Sequence, residues 1–313
     1  MDRRNLLKTL AFSTAAIPLF GSSAGFITKS LEPNALQLKF GNLDLYLFSD
    51  GGNVLSDPFP LIAPKETEEN FNKARKECYL DQQSIAFSLN ILLVKKDNQY
   101  ILFDTGNGLG KNKNVGRLIE QMQASNIPAN LVTDIIITHA HGDHIGGIIL
   151  PDGTLAFKNA KYYISKTEFD FWMKENNSTI KSILNKIQIN LTFIKENDTL
   201  FDCIKVEHTP GHTPGQLAFL IQQNGKNLHL KHIADVVHSP ILVRYPEWGI
   251  KYDQDFDLAV KTRLNILEEA YNKRQLVIAM HLPWPGIGYI GKRDNRYDWI
   301  PLSFGSNLKQ IEL

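Results

Sequence analysis

Thr138-His139-Ala140-His141-Gly142-Asp143-His144 follows directly on Ile135-Ile136-Ile137. The isoleucines form an all-apolar, β-branched run, the pattern of a strand covered on both faces. Three imidazoles and a carboxylate then fall within six residues. Polar groups at that density beside a buried strand need partners, and metal ions satisfy them together. Histidine is otherwise scarce, nine in 313 residues, so a generic polar loop does not account for three of them here. On a loop leaving a strand, His139 and His141 can point the same way and grip one ion. Beyond flexible Gly142, Asp143 and His144 can turn toward a second.

Working outward, the chain alternates between short strands and helices. Leu36 to Ser49 reads as a hairpin turning at Gly41-Asn42, broken at Ser49-Asp50-Gly51-Gly52-Asn53. Glu66 to Cys78 predicts a surface helix. Ile85 to Val94 and Tyr100 to Phe103 form a second hairpin that stops at Asp104-Thr105-Gly106, and Val115 to Ser125 reads as a short helix. Tyr162 to Ile164 is a strand and Lys166 to Lys174 a returning helix. Ile204 to Val206, Leu217 to Gln222 and Leu228 to Ile233 are further strands, the last two joined at Asn224-Gly225. Phe256 to Tyr271 is the most regular helix, with Val260, Leu264, Leu267 and Tyr271 on one face. Leu276 to Met280 is a buried strand ending at His281. Strands in early and late groups, each followed by helices, suit two sheets packed face to face with helices outside. The chain has no linker and no repeat, so residues 30–313 are expected to form a single domain.

Three downstream pieces complete the polar set: Thr209-Pro210-Gly211-His212-Thr213-Pro214-Gly215, then Ile233-Ala234-Asp235, then His281. With His-x-His-x-Asp-His at 139–144 and Phe103-Asp104-Thr105-Gly106 upstream, five ordered motifs resemble the metallo-β-lactamase superfamily. The resemblance covers roughly residues 36 to 290. It implies the four-layer αββα sandwich of that α/β fold. It also implies that His139, His141 and His212 bind one metal ion and that Asp143, His144 and His281 bind another. Asp235 and a hydroxide would lie between the two ions, and Asp104 would orient the histidine loop. Asp143 and Asp235 are the carboxylates expected to take part in catalysis. Nitrogen and oxygen ligands without thiolate suit two divalent ions, zinc first, with manganese, cobalt or iron as alternatives.

The C-terminal third narrows the resemblance. Ala234-Asp235-Val236-Val237-His238, Arg244-Tyr245-Pro246-Glu247-Trp248, Phe256-Asp257 and His281-Leu282-Pro283-Trp284-Pro285-Gly286 look like methyl parathion hydrolase relatives, as does Phe48-Ser49-Asp50-Gly51. That subgroup includes acyl-homoserine lactone lactonases and aryl-ester or organophosphate hydrolases. It usually has glycine where Ala234 stands. The resemblance implies hydrolysis of a small-molecule lactone or ester by a metal-bridged hydroxide. Organophosphate or aryl-ester hydrolysis is the alternative, followed by a glyoxalase-like thioesterase. A non-catalytic metal-binding protein would be expected to lose a ligand, and all seven are present. Glutamate is usual at the position of His141 in oxygen-reducing relatives, and true β-lactamases usually lack the bridging aspartate, so neither chemistry is expected.

His238 is expected either to line the pocket and donate to a leaving group, or to pack behind the ligands. Trp248 and Trp284 would either wall an apolar pocket or cover the core. His208, His229 and His232 are assigned to structure or surface, and the Lys- and Asn-rich helices to solvated faces.

Composition sets the outer limits. At 43% hydrophobic content the chain can bury a sizeable core, and its net charge is +1. Residues 1–24 carry Arg3, Arg4 and Lys8 against Asp2, which leaves the remainder at −1. Nothing there attracts a polyanion, so no nucleic-acid partner is expected. The cationic start, the apolar stretch Leu10 to Phe20 and Ser22-Ser23-Ala24 form an export signal. Paired Arg3-Arg4 resembles a twin-arginine leader, departing at Asp2 and Leu6. An exported, periplasmic or extracellular protein with no stable membrane span is expected, since the apolar stretch is short of the roughly 20 residues a span needs. Cys78 and Cys203 fit no metal spacing and are read as buried thiols, with a disulfide as the alternative. Apolar loops around Phe59 and Ile62 suggest a homodimer.

Overall fold

A computed structural model describes residues 35–80, 84–110, 113–222, 229–303 and 311–312. The proposed export signal at 1–24 and the Asn224-Gly225 turn lie outside the described residues. Residues 33–313 cluster as one unit.

Alternating apolar residues build the first hairpin. β1 (Ala35–Phe40) and β2 (Leu43–Leu55) pair antiparallel with Leu38 opposite Leu45. Gly41 turns the chain at φ 61°, a left-handed value that glycine adopts without steric cost. Ser49 to Asn53 does not break the strand as expected. The strand continues through a bulge between Ser49 and Gly51. There the buried Asp50 carboxylate accepts from the backbone N–H groups of Asn107, Gly116 and Leu118.

α1 (Glu68–Glu77) starts where Thr67 caps the N–H of Asn70, and it buries Phe71 and Ala74, so it is less of a surface helix than its charges suggest. β3 (Ile85–Lys96) and β4 (Gln99–Phe103) form the second hairpin. Then come α2 (Leu118–Ala124), β5 (Asp134–Ile136), the single turn α3 (Gly142–Ile145), β6 (Lys161–Ser165), α4 (Lys166–Lys174), α5 (Ser178–Ile187) and β7 (Leu191–Ile194). The second half holds β8 (Thr199–Leu200), β9 (Ile204–His208), β10 (Leu217–Gln222), β11 (His229–His232), α6 (Pro240–Arg244), α7 (Phe256–Asn272), β12 (Leu276–Ile278), β13 (Ile287–Arg293), β14 (Arg296–Pro301) and β15 (Ile311–Glu312).

The strands form two sheets, ordered β15-β1-β2-β3-β4-β5-β6-β7 and β14-β13-β12-β11-β10-β9-β8. Between them Leu45, Val94, Ile101 and Ile136 of the first pack on Val206, Phe219, Leu230 and Ile278 of the second. Ile135 and Ile137 point the other way, into a cluster with Met122, Ile145, Trp172 and Leu184 from the helices covering the first sheet. A third cluster joins Phe71, Ile241, Ile266 and Leu267 of α1, α6 and α7 to Val277 and Ile290 of the second sheet. These three clusters define four layers, αββα. Burying each such aliphatic side chain contributes about 1.5–3 kcal/mol.

Two expectations are corrected by this packing. The buried face of α7 is Ala259, Arg263, Ile266, Leu267 and Ala270 rather than the Val260-Leu264-Leu267-Tyr271 stripe, and Leu264 is 40% exposed. Arg263 is drawn inside because it donates to the carbonyls of Val236 and Pro246 and to Asp253. Ile62 is fully buried, and Phe59 packs against the same third cluster, which removes the exposed loop that suggested a dimer. Cys78 and Cys203 are both free thiols, Cys203 buried and Cys78 half-buried. No helix among the described residues is long and apolar enough to cross a membrane.

Candidate metal centre

Parallel pairing gathers the polar residues at one end of the sandwich. β4 and β5 run parallel, so Asp104 and Thr138-His139 emerge side by side from their C-terminal ends. β11 and β12 also run parallel, which places Asp235 beside His281. Ligand sites in open sheets form at such strand ends. The His212 loop packs its backbone against two helices. A Cβ on Gly211, at φ 128°, would meet Ala259 N of α7 at 2.3 Å, and one on Gly215 would meet Glu168 N of α4 at 2.2 Å. These glycines therefore serve close helix packing.

Three overlapping groups of ligand-type atoms converge there. His139, His141, His212 and Asp235 form one set, Asp143, His144 and His281 another, and Asp235, His238 and His281 a third that overlaps both through Asp235 and His281. In the first, His139 Nε2 and His212 Nε2 lie 2.9 and 3.0 Å from His141 Nδ1. Asp235 lies between the sets. Its Oδ2 is 3.5 Å from His212 Nε2 and 3.1 Å from His281 Nε2, while its Oδ1 is 3.2 Å from His144 Nε2. His281 Nε2 is also 3.5 Å from Asp143 Oδ2.

Electrostatics prepares these groups for cations. Burial, reinforced by the neighbouring His212, pushes His141 down to about 3, which keeps its ring neutral. Asp235 is held well below the usual carboxylate range: burial opposes this, but the charges of His144, His281 and His238 outweigh it. For His144, burial disfavours the cation, yet the carboxylates of Asp235, Asp104 and Asp143 raise it well above the ordinary imidazole value. Buried side-chain atoms with no hydrogen-bond partner include His144 Nε2 and Asp235 Oδ1. Three ring nitrogens facing one another, beside two orphaned polar atoms, are a poor arrangement for a protein interior and a good one for divalent cations. The residues present fit such ions.

Partners behind the ligands fix their rings. Asp104 accepts from the N–H and hydroxyl of Thr138, and its Oδ2 lies 2.8 Å from His144 Nδ1. His281 Nδ1 is 3.0 Å from the carbonyl of Ser88. His212 Nδ1 is 2.9 Å from Asp253 Oδ1, and Asp253 is itself held by Arg263. Sequence reasoning missed Asp253, because a lone aspartate in a loop has no spacing pattern to mark it. Ala234 takes φ 45°, a left-handed backbone that glycine adopts with less strain than alanine.

The cluster floors a cavity of about 440 Å³. Phe87, Ile180, Ile183, Ile250 and Tyr252 supply its apolar wall, and His238 lines it beside Asp235. His238 is buried, with both ring nitrogens lacking a hydrogen-bond partner, and it stacks 5.2 Å from His281. Trp248 and Trp284 do not border this cavity. Trp248 stacks 4.3 Å from Tyr245 within the third core cluster, and Trp284 is 38% exposed. The α5 wall corrects the reading of Lys- and Asn-rich helices as solvated faces. Ile180, Ile183, Leu184 and Ile187 recur at helical spacing, the signal that marks its apolar side.

The metallo-beta-lactamase superfamily profile matches residues 85–228. AidC, a dizinc quorum-quenching lactonase solved with a product, N-hexanoyl-L-homoserine, is 32% identical over 87% of this chain and 98% of its own, with a TM-score of 0.82. AbOPH, a hydrolase in the beta-lactamase superfamily, is 29% identical over 89% of this chain and 100% of its own, with a TM-score of 0.80. The uncharacterized protein YobT of Bacillus subtilis (strain 168) is 30% identical over 151 residues, 44% of this chain and 59% of that protein. The match thus spans little more than half the length of that curated relative. The chain belongs to the metallo-beta-lactamase superfamily.

Proposed function

We propose that this chain is a dinuclear metal-dependent hydrolase that opens lactones or esters, with N-acyl-homoserine lactones as the leading substrates. The observation that carries this reading is the convergence of seven histidine and aspartate ligands on the floor of a cavity with an apolar wall. The similarity to AidC along nearly its whole length supports it. The donor set of imidazole and carboxylate, without thiolate, favours zinc.

When bound, two divalent ions supply an acidified water at neutral pH and polarise the substrate carbonyl. The chain's own residues do the rest. Asp235 spans both ligand sets and offers Oδ1 as the route for a proton toward the departing alkoxide. Asp143 steadies the second set through His281. His238, buried with Nε2 3.2 Å from Asp235 Oδ2, hydrogen-bonds the carbonyl or the leaving oxygen. Phe87, Ile180, Ile183, Ile250 and Tyr252 hold an acyl chain and exclude water from the reacting carbonyl. The cavity lining contains no lysine or arginine among the described residues, which disfavours an anionic glutathione thioester.

Proton release in weak buffer tests the reading, using zinc-loaded protein with acyl-homoserine lactones of several lengths, an aryl ester, methyl parathion and a glutathione thioester. Lactone turnover lost in Asp235→Asn supports it. Turnover confined to the thioester or the phosphotriester overturns the substrate and keeps the centre. We further propose that residues 1–24 direct export through Arg3-Arg4. A secreted reporter carrying this segment should stay in the cytoplasm after Arg3→Lys with Arg4→Lys, and undiminished export of that variant would refute the twin-arginine assignment.

A further inference from the structure

Glu168 lies in the first turn of α4 and is fully buried. Its carboxylate accepts four hydrogen bonds. Oε1 receives the N–H of Ala140 at 2.9 Å and Trp172 Nε1 at 2.7 Å, and Oε2 receives the hydroxyl of Thr213 at 2.7 Å and the N–H of Gly215 at 3.0 Å. Ala140 stands between His139 and His141, while Thr213 and Gly215 follow His212. One carboxylate thus joins two loops, distant in sequence, that carry three of the histidines. Ser165 adds a second tie, its hydroxyl donating to the carbonyl of Gly215 and accepting the N–H of Glu168. Trp172, held by Glu168, lies edge-on to the His141 ring at 5.4 Å. Four donors aim at the carboxylate, which matches an anion and mismatches a carboxamide, whose NH₂ would face N–H and O–H donors.

The other ligand set is braced elsewhere, His144 by Asp104 and His281 by the carbonyl of Ser88. We propose that Glu168 is a positioning residue for the two loops that carry His139, His141 and His212, acting beside Asp253 behind His212 and Thr138 behind His139, and that it sets the affinity of the ion they hold independently of the second ion. The proposal rests on the dinuclear reading above.

The test is zinc competition between the full-length chain and a chromophoric chelator, with the cobalt(II) spectrum as a second readout. In Glu168→Gln, one of two equivalents should weaken about 10- to 100-fold, the usual cost of losing a partner behind the ligands, with the other unchanged. Its cobalt band should shift selectively. Thr213→Val removes one donor without touching α4, so it should weaken the same equivalent by a smaller factor even if the glutamine variant fails to fold. A purely structural role would lower the melting temperature of the metal-free variants while leaving both affinities intact or reducing them together, and either result overturns the proposal. Wild-type protein that binds no zinc would instead defeat the dinuclear reading and this inference with it.

Discussion

Oδ2 of Asp104 lies 2.8 Å from Nδ1 of His144, and the same carboxylate receives both donors of Thr138, the residue before His139. Asp104 reaches this position at φ 62°, where β4 ends beside β5. The contact fixes the tautomer of His144, since a carboxylate acceptor at Nδ1 leaves Nε2 free to ligate. Asp104→Asn is therefore expected to weaken the ion of the second set by about 10- to 100-fold. Zinc competition checks this, and the ion held by His139, His141 and His212 should be the less affected of the two.

Tyr252 stands at the cavity wall with 58% of its surface exposed, so removing its ring leaves the core intact. Tyr252→Ala should raise KM for long-chain acyl lactones by about tenfold, the scale expected for 1–2 kcal/mol of lost apolar contact. Short acyl chains that do not reach the wall should be unaffected. Steady-state kinetics across a chain-length series would reveal a uniform change instead if Tyr252 acted on the reacting centre.

Burial pushes the Cys78 thiol up to about 11 from an ordinary value of 9.0, against the opposing charge of nearby Arg244. Burial favours the neutral thiol, so thiolate appears only as pH rises through about 11. Alkylation of Cys78 at pH 8.5 should accordingly run about 100-fold slower in the folded protein than in urea. Mass spectrometry of the modified peptide measures the ratio, and equal rates would show that the thiol is solvated.

The strands that position the centre were legible because alternation has a period of two and turn residues bound it, as in β1 and β2. The ligands were legible because no packing role explains His139, His141, Asp143 and His144 at their spacing. What escaped was set by tertiary contacts. Arg263 looks like a solvent residue, but three acceptors inside the protein draw it in and rotate the buried face of α7. Asp253 and Glu168 are single acidic residues whose ties to the centre, from His212 to the one and from Ala140, Thr213 and Gly215 to the other, come from loops distant in sequence, so no spacing pattern marks them. For Trp248 and Trp284 the sequence left a pocket wall and a core cover open; Trp248 covers the core, and isoleucines of a lysine-bearing helix help form the wall.

Stepwise addition of zinc to chelator-treated protein, with N-hexanoyl-homoserine lactone hydrolysis recorded at each step, tests the dinuclear hydrolase most directly. Two equivalents should bind per chain, and lactone turnover should rise with the second. Full turnover at one equivalent, or none at any zinc level in protein that has bound both ions, would contradict it.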